Sequence, residues 1–155
     1  MPDVDGGSEP AYLFVYGTLM SSFGGMMHDL VARHATLVGG AAFAGRLYDA
    51  GTYPAAVPSS GASRDRVRGE LYRLDPHTSA ELLGQLDDYE GCAEGLFRRV
   101  RATVAGDDRR PVAAWVYVYA RSTARLRCVE SGDWAAERGR EGGPPPDGVA
   151  DGPGA

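Results

Sequence analysis

Residues 12–16, Tyr-Leu-Phe-Val-Tyr, are apolar at nearly every position and stop at Gly17. A run this short and this uniformly apolar reads as a strand covered on both faces. Residues 112–120 constrain the fold in the same way. Val112, Ala114, Val116 and Val118 alternate with Ala113, Trp115, Tyr117 and Tyr119, so both faces call for cover. Further strands are expected over residues 42–48, 67–74 and 97–104. In the last of these Val100, Ala102 and Val104 alternate with Arg99, Arg101 and Thr103, giving one buried and one wet face. Helices are expected over residues 25–33 and after Thr78-Ser79-Ala80-Glu81, a capping-box pattern. Leu82, Leu83, Leu86 and Tyr89 follow that box at helical spacing, and Gly91 is placed to stop the helix. One or two helices among five or six strands predict an α+β domain built around a strongly curved sheet or barrel.

At 155 residues the chain suits one domain with a core of its own. Residues 1–11 and 137–155 are polar and rich in glycine and proline, so they are expected to be disordered tails around a domain spanning 12–136. A net charge of −5 argues against non-specific binding to nucleic acid or an anionic membrane. All sixteen basic residues are arginine, which removes lysine-dependent chemistry: no Walker-type phosphate loop, Schiff base or lysine nucleophile. Cys92 and Cys128, with His28, His34 and His77, show no metal-site spacing, and no cysteine-hydrolase signature surrounds Cys92. No basic segment leads into an apolar one at the start, and no apolar run is long enough to span a bilayer. A cytoplasmic protein with reduced thiols and no metal is the expectation.

Two places could carry chemistry. Glu90 lies four residues after Leu86 and eight after Leu82, which continues their stripe toward the core, while Asp87 and Asp88 are expected to face solvent. A carboxylate buried there would have its pKa raised, suiting a general acid or base near neutrality. The alternatives are that Glu90 reaches water at the helix end, or pairs with Arg98, Arg99 or Arg101. The second place is Tyr16-Gly17-Thr18-Leu19, where a glycine turn after a strand can aim backbone N–H groups at a carboxylate or phosphate. Tyr53, before Pro54, stands in a loop suited to lining a pocket.

Taken in order, Phe14-Val15-Tyr16-Gly17-Thr18-Leu19, Gly45-Arg46-Leu47-Tyr48-Asp49-Ala50-Gly51-Thr52-Tyr53-Pro54-Ala55, Val67-Arg68-Gly69-Glu70-Leu71-Tyr72, Leu86-Asp87-Asp88-Tyr89-Glu90-Gly91 and Ser131-Gly132-Asp133-Trp134 resemble the gamma-glutamylcyclotransferase-like (AIG2-like) family. Its members include gamma-glutamylamine cyclotransferases and bacterial relatives that trim gamma-glutamyl groups from antibiotic precursors. The resemblance implies a compact mixed barrel of about five to seven strands with a few flanking helices, and no metal or organic cofactor. It implies a small gamma-glutamyl amine or amide as substrate, converted to 5-oxoproline and a free amine by a monomer or homodimer. Glu90 would be the catalytic acid/base, and Tyr16, Gly17, Thr18, Leu19 and Tyr53 would bind substrate. Phe97 stands where the family often has tyrosine, and Met20-Ser21-Ser22 lacks a basic residue often found after the loop. A ligand-binding protein without turnover, or a hydrolase releasing glutamate, are the competing readings.

Overall fold

The computed structural model describes residues 11–17, 20, 25–59, 63–108 and 110–140. Residues 1–10 and 141–155, most of the two expected tails, lie outside the described residues, as do Thr18 and Leu19. The elements run β1 (Tyr12–Val15), α1 (Met26–His34), β2 (Ala35–Asp49), β3 (Pro54–Pro58), β4 (Arg66–Leu74), α2 (Ser79–Tyr89), β5 (Phe97–Gly106), β6 (Pro111–Tyr119), β7 (Arg127–Val129) and α3 (Trp134–Arg140).

Five strands close on themselves in the order β2-β4-β1-β6-β5 and back to β2. Closure is made where Ala41–Phe43 of β2 pair with Val104–Gly106 of β5. The pairing of β1 with β6, Leu13 opposite Trp115, is parallel, and the other pairings are antiparallel. Beyond Gly45 strand β2 runs on and is flanked by β3 on one side and β7 on the other. The expected barrel is therefore present, with two strands added to it.

The apolar strand at the start behaves as its composition predicts. Leu13 and Val15 join an outer core with Leu30 and Val31 of α1 and Leu82, Leu83 and Leu86 of α2. Phe14 and Tyr16 turn the other way, into a core with Phe43, Leu71, Val116, Val118 and Trp134. Residues 116–118 of β6 are likewise buried on both faces, whereas Ala113 is exposed. The start of α3 is also built into the core. The Asp133 carboxylate accepts the Ala136 N–H at 3.0 Å and so caps α3, whose Trp134 is buried. Helix α3 runs to Arg140, four residues past the expected domain end at 136.

Two local expectations fail. Thr78 is the N-cap of α2, but its hydroxyl makes no capping bond, so the capping box is absent as a hydrogen-bonded unit. Strand β3 lies where no strand was expected, just past the loop that holds Tyr53. Proline bounds it at both ends, and proline is tolerated at strand ends, where a missing N–H costs no ladder bond.

Candidate active site

Glu90 is the C-cap of α2, and the backbone around it is fixed by hydrogen bonds. Its N–H donates to the Leu86 carbonyl at 2.8 Å, the Gly91 N–H to Asp88 at 3.2 Å and the Cys92 N–H to Asp87 at 3.1 Å. The last two bonds form a Schellman motif, which needs a left-handed residue just past the cap. Gly91 supplies it with φ +72°. The motif turns the chain away while Glu90 still points along the helix's apolar stripe. Glu90 is 0% exposed, and it is the buried charged side chain among the described residues. The reading in which it frays into water is thereby excluded.

Asp87 departs from expectation. Asp88 is exposed, but Asp87 is half-buried and engaged on two sides. The Tyr117 hydroxyl of β6 donates to its Oδ1 at 2.7 Å. Arg99 of β5 donates through Nε at 2.8 Å and Nη2 at 3.2 Å, one bond to each carboxylate oxygen. The Arg99 guanidinium also lies 4.4 Å from the Trp115 ring centre. Burial alone would raise the Asp87 pKa, but the hydrogen bonds from Arg99 and Tyr117 outweigh it and hold the carboxyl below its ordinary value. Arg99, one of the arginines weighed as a partner for Glu90, is thus committed to Asp87. A usable signal was present in the sequence, since Asp87 lies four residues after the buried Leu83.

The glycine turn and the helix end meet around two phenols. Tyr16, at the end of β1, is fully buried; its hydroxyl donates to the Tyr117 carbonyl at 2.6 Å and accepts the Ala56 N–H at 3.4 Å. Burial first, and then the nearby negative charge of Glu90, push the Tyr16 pKa well above its ordinary value. Tyr117 is raised by burial, by its bond to Asp87 and, to a smaller extent, by Glu90. The carboxylate therefore sits within electrostatic reach of both hydroxyls. The side chain of Tyr16 is tied up inside the protein, and Gly17 after it is buried as well. The Gly17 carbonyl accepts the Met20 N–H at 3.0 Å, closing the turn. The expected binding roles of Thr18 and Leu19 fall on residues that are not described.

Tyr53 is half-buried on the same outer core that holds Met20, Leu86 and Tyr117. Its loop is fixed by two bonds: the Ala50 N–H to the Tyr53 carbonyl at 3.0 Å and the Gly51 N–H to Asp49 Oδ1 at 2.7 Å. Its ring lies 6.0 Å from Phe97, which in turn meets Tyr119 edge-on at 5.5 Å. The hydroxyl absent at Phe97 is flanked by these two tyrosines. Burial pushes the Cys92 thiol up, opposite to the shift that activates a nucleophile. No group of three or more His, Cys, Asp or Glu suited to a metal occurs among the described residues. None of their helices is long and apolar enough to cross a membrane.

Comparison with known proteins agrees with this architecture. The family model described as "Gamma-glutamyl cyclotransferase, AIG2-like" matches residues 13–136. The gamma-glutamylcyclotransferase family protein YtfP of Escherichia coli K12 is 37% identical over 123 residues, 79% of this chain and 94% of that protein. The crystal structure of an AIG2-like protein from Mus musculus superposes with a TM-score of 0.60 at 26% identity, covering 79% of this chain and 87% of the other. YkqA from Bacillus subtilis shares the fold with a TM-score of 0.65 at 24% identity; the match covers 86% of this chain but only 42% of that longer one. The chain belongs to the gamma-glutamyl cyclotransferase, AIG2-like family.

Proposed function

We propose that the protein is a gamma-glutamyl cyclotransferase that cleaves a gamma-glutamyl amine or amide without a cofactor. The observation that carries this reading is Glu90: a carboxylate wholly removed from solvent at a helix end, within electrostatic reach of the buried Tyr16 and Tyr117 hydroxyls. The α-nitrogen of the substrate attacks its own γ-carbonyl carbon, the bond to the leaving nitrogen breaks, and a five-membered lactam closes. The α-ammonium gives up two protons in becoming the lactam N–H. The leaving nitrogen takes up two in departing as an ammonium, so no net proton is exchanged. Glu90 moves protons between the two nitrogens, which lie on one molecule and need only the folded conformer selected. Backbone N–H groups of the glycine turn hold the anionic head of the gamma-glutamyl group.

The test is a panel of gamma-glutamyl amines and amides, with the released acid identified by mass. Release of 5-oxoproline is expected; glutamate, heavier by one water, would mark a hydrolase instead. Glu90→Gln is expected to keep the fold and substrate binding but lose about 10²–10⁴ in turnover, the usual contribution of a general acid or base. Near-wild-type turnover in that variant would overturn the assignment. A gamma-glutamyl-protected biosynthetic intermediate is one form the substrate can take. Neighbouring genes encoding a gamma-glutamyl ligase would support it.

A further inference from the structure

Tyr117 joins three elements of the site. Its hydroxyl donates to Asp87 of α2 at 2.7 Å and lies 3.4 Å from the Leu83 carbonyl, one turn earlier on the same helix. Its own carbonyl accepts the Tyr16 hydroxyl at the end of β1. Arg99 of β5 grips the same Asp87 carboxylate, its Nε on the oxygen that also accepts the Tyr117 hydroxyl and its Nη2 on the other. Leu82, Leu83 and Leu86 of α2 also pack into the core, through apolar contacts. Such contacts hold a helix down without fixing its rotation, because they are non-directional. The charge-assisted bond to Asp87 is directional.

Asp87 and Glu90 are three residues apart and share a helix face. Any roll of α2 that breaks the Tyr117–Asp87 bond therefore swings Glu90 by a similar arc. Tyr117 does not carry the proton itself: it is fully buried and its proton is committed to an ionised carboxylate.

We infer that Tyr117 is a positioning residue of this site, its hydroxyl locking Asp87 and so fixing where the helix end holds Glu90. The inference rests on the reading of Glu90 as the acid/base. It assigns Tyr117, Asp87 and Arg99 one joint task that neither the glycine turn nor the helix cap performs.

The experiment compares full-length wild type with Tyr117→Phe, Asp87→Asn and the double variant. In each, kcat and KM are measured separately on a gamma-glutamyl amine that the wild type cyclises, well below the melting temperature. Expected is a fall in kcat of roughly 10- to 100-fold with KM within about threefold, as a misplacement of about 1 Å produces. The double variant should be no slower than the slower single one, because the two residues act as a unit. The second readout needs no turnover: the ¹³C signal of the Glu90 side-chain carboxyl, assigned by its loss in Glu90→Gln, followed with pH. It should shift in both single variants. A wild-type kcat in Tyr117→Phe, or an unmoved Glu90 signal in both single variants, overturns the inference. If the wild type cyclises nothing in the panel, the cyclotransferase reading fails, and the carboxyl signal still decides whether Tyr117 orients Glu90. Should Tyr117→Phe fail to fold, Asp87→Asn carries the same two readouts.

Discussion

The Schellman turn after α2 gives a prediction whose size follows from two numbers. Gly91 has φ +72°, and a Cβ built there would lie 3.2 Å from the Leu96 Cβ. In Gly91→Ala the left-handed backbone costs about 1–2 kcal/mol. The crowding against Leu96 adds to that, while the stiffer unfolded chain returns about 0.4–1 kcal/mol. The net loss is about 1–2 kcal/mol, which at a urea dependence of about 2 kcal/mol per molar moves the unfolding midpoint down by about 0.5–1 M. Gly91→Asn meets the same Leu96 contact but tolerates the left-handed region better, so it should lose about half as much. The assay is urea unfolding followed by far-UV circular dichroism, with all three slopes compared. A midpoint for alanine within about 0.2 M of wild type, or asparagine worse than alanine, would refute the reasoning. The first result would mean that the turn is not locked, the second that steric crowding rather than backbone handedness dominates.

Gly132 precedes α3 with φ +69°, and a Cβ there would collide with the Arg66 carbonyl; the Gly132 carbonyl also accepts the Arg68 N–H at 2.7 Å. Gly132→Ala is therefore expected to lose more than about 3 kcal/mol, by strain and overpacking together, read as a collapse in soluble yield and melting temperature. Because the Asp87 pKa is lowered by folding, its contribution to stability is fully present above its unfolded value of about 3.9 and is lost as pH falls through the folded value. The stability gap between wild type and Asp87→Asn should accordingly shrink from about pH 5 to about pH 2 in urea titrations. A gap that is constant with pH would show that Asp87 contributes packing rather than charge. Iodoacetamide should label Cys92 more slowly at neutral pH than it labels an unhindered peptide thiol, since burial raises the pKa of Cys92.

Much of this structure could be read from residue pattern, for identifiable reasons. Strands β1 and β6 were legible because continuous or doubly apolar alternation has few uses other than a strand covered on both faces. Glu90 was legible because Leu82 and Leu86 define a stripe that it extends. The two added strands were not. Residues 54–58, Pro-Ala-Ala-Val-Pro, show small side chains and terminal prolines without an alternating apolar pattern, and become a strand where β2 overruns the barrel and offers a partner. Strand β2 itself begins seven residues before its expected start: Gly39 and Gly40 break the apolar pattern, while pairing with β4 continues past them through a register shift between Leu37 and Gly39. Asp87 was misplaced because a charged residue defaults to solvent in pattern reading. Its burial depends on Tyr117 and Arg99, which are remote in sequence and adjacent only in the folded sheet. Pairwise polar partners of this kind leave no periodic trace.

The parallel pairing of β1 with β6 has a consequence for how the protein comes to exist. Tyr16 and Tyr117 are 101 residues apart, and the hydrogen bond between them ties the end of β1 to β6 within electrostatic reach of Glu90. During synthesis the first strand emerges early and waits, its apolar faces without the partner that will flank it, until nearly the whole domain has left the ribosome. At about 5–20 residues per second that interval is several seconds or more. Such a chain acquires its chemistry all at once and late. A fragment ending before β6 has the carboxylate but not the surroundings that give it work to do.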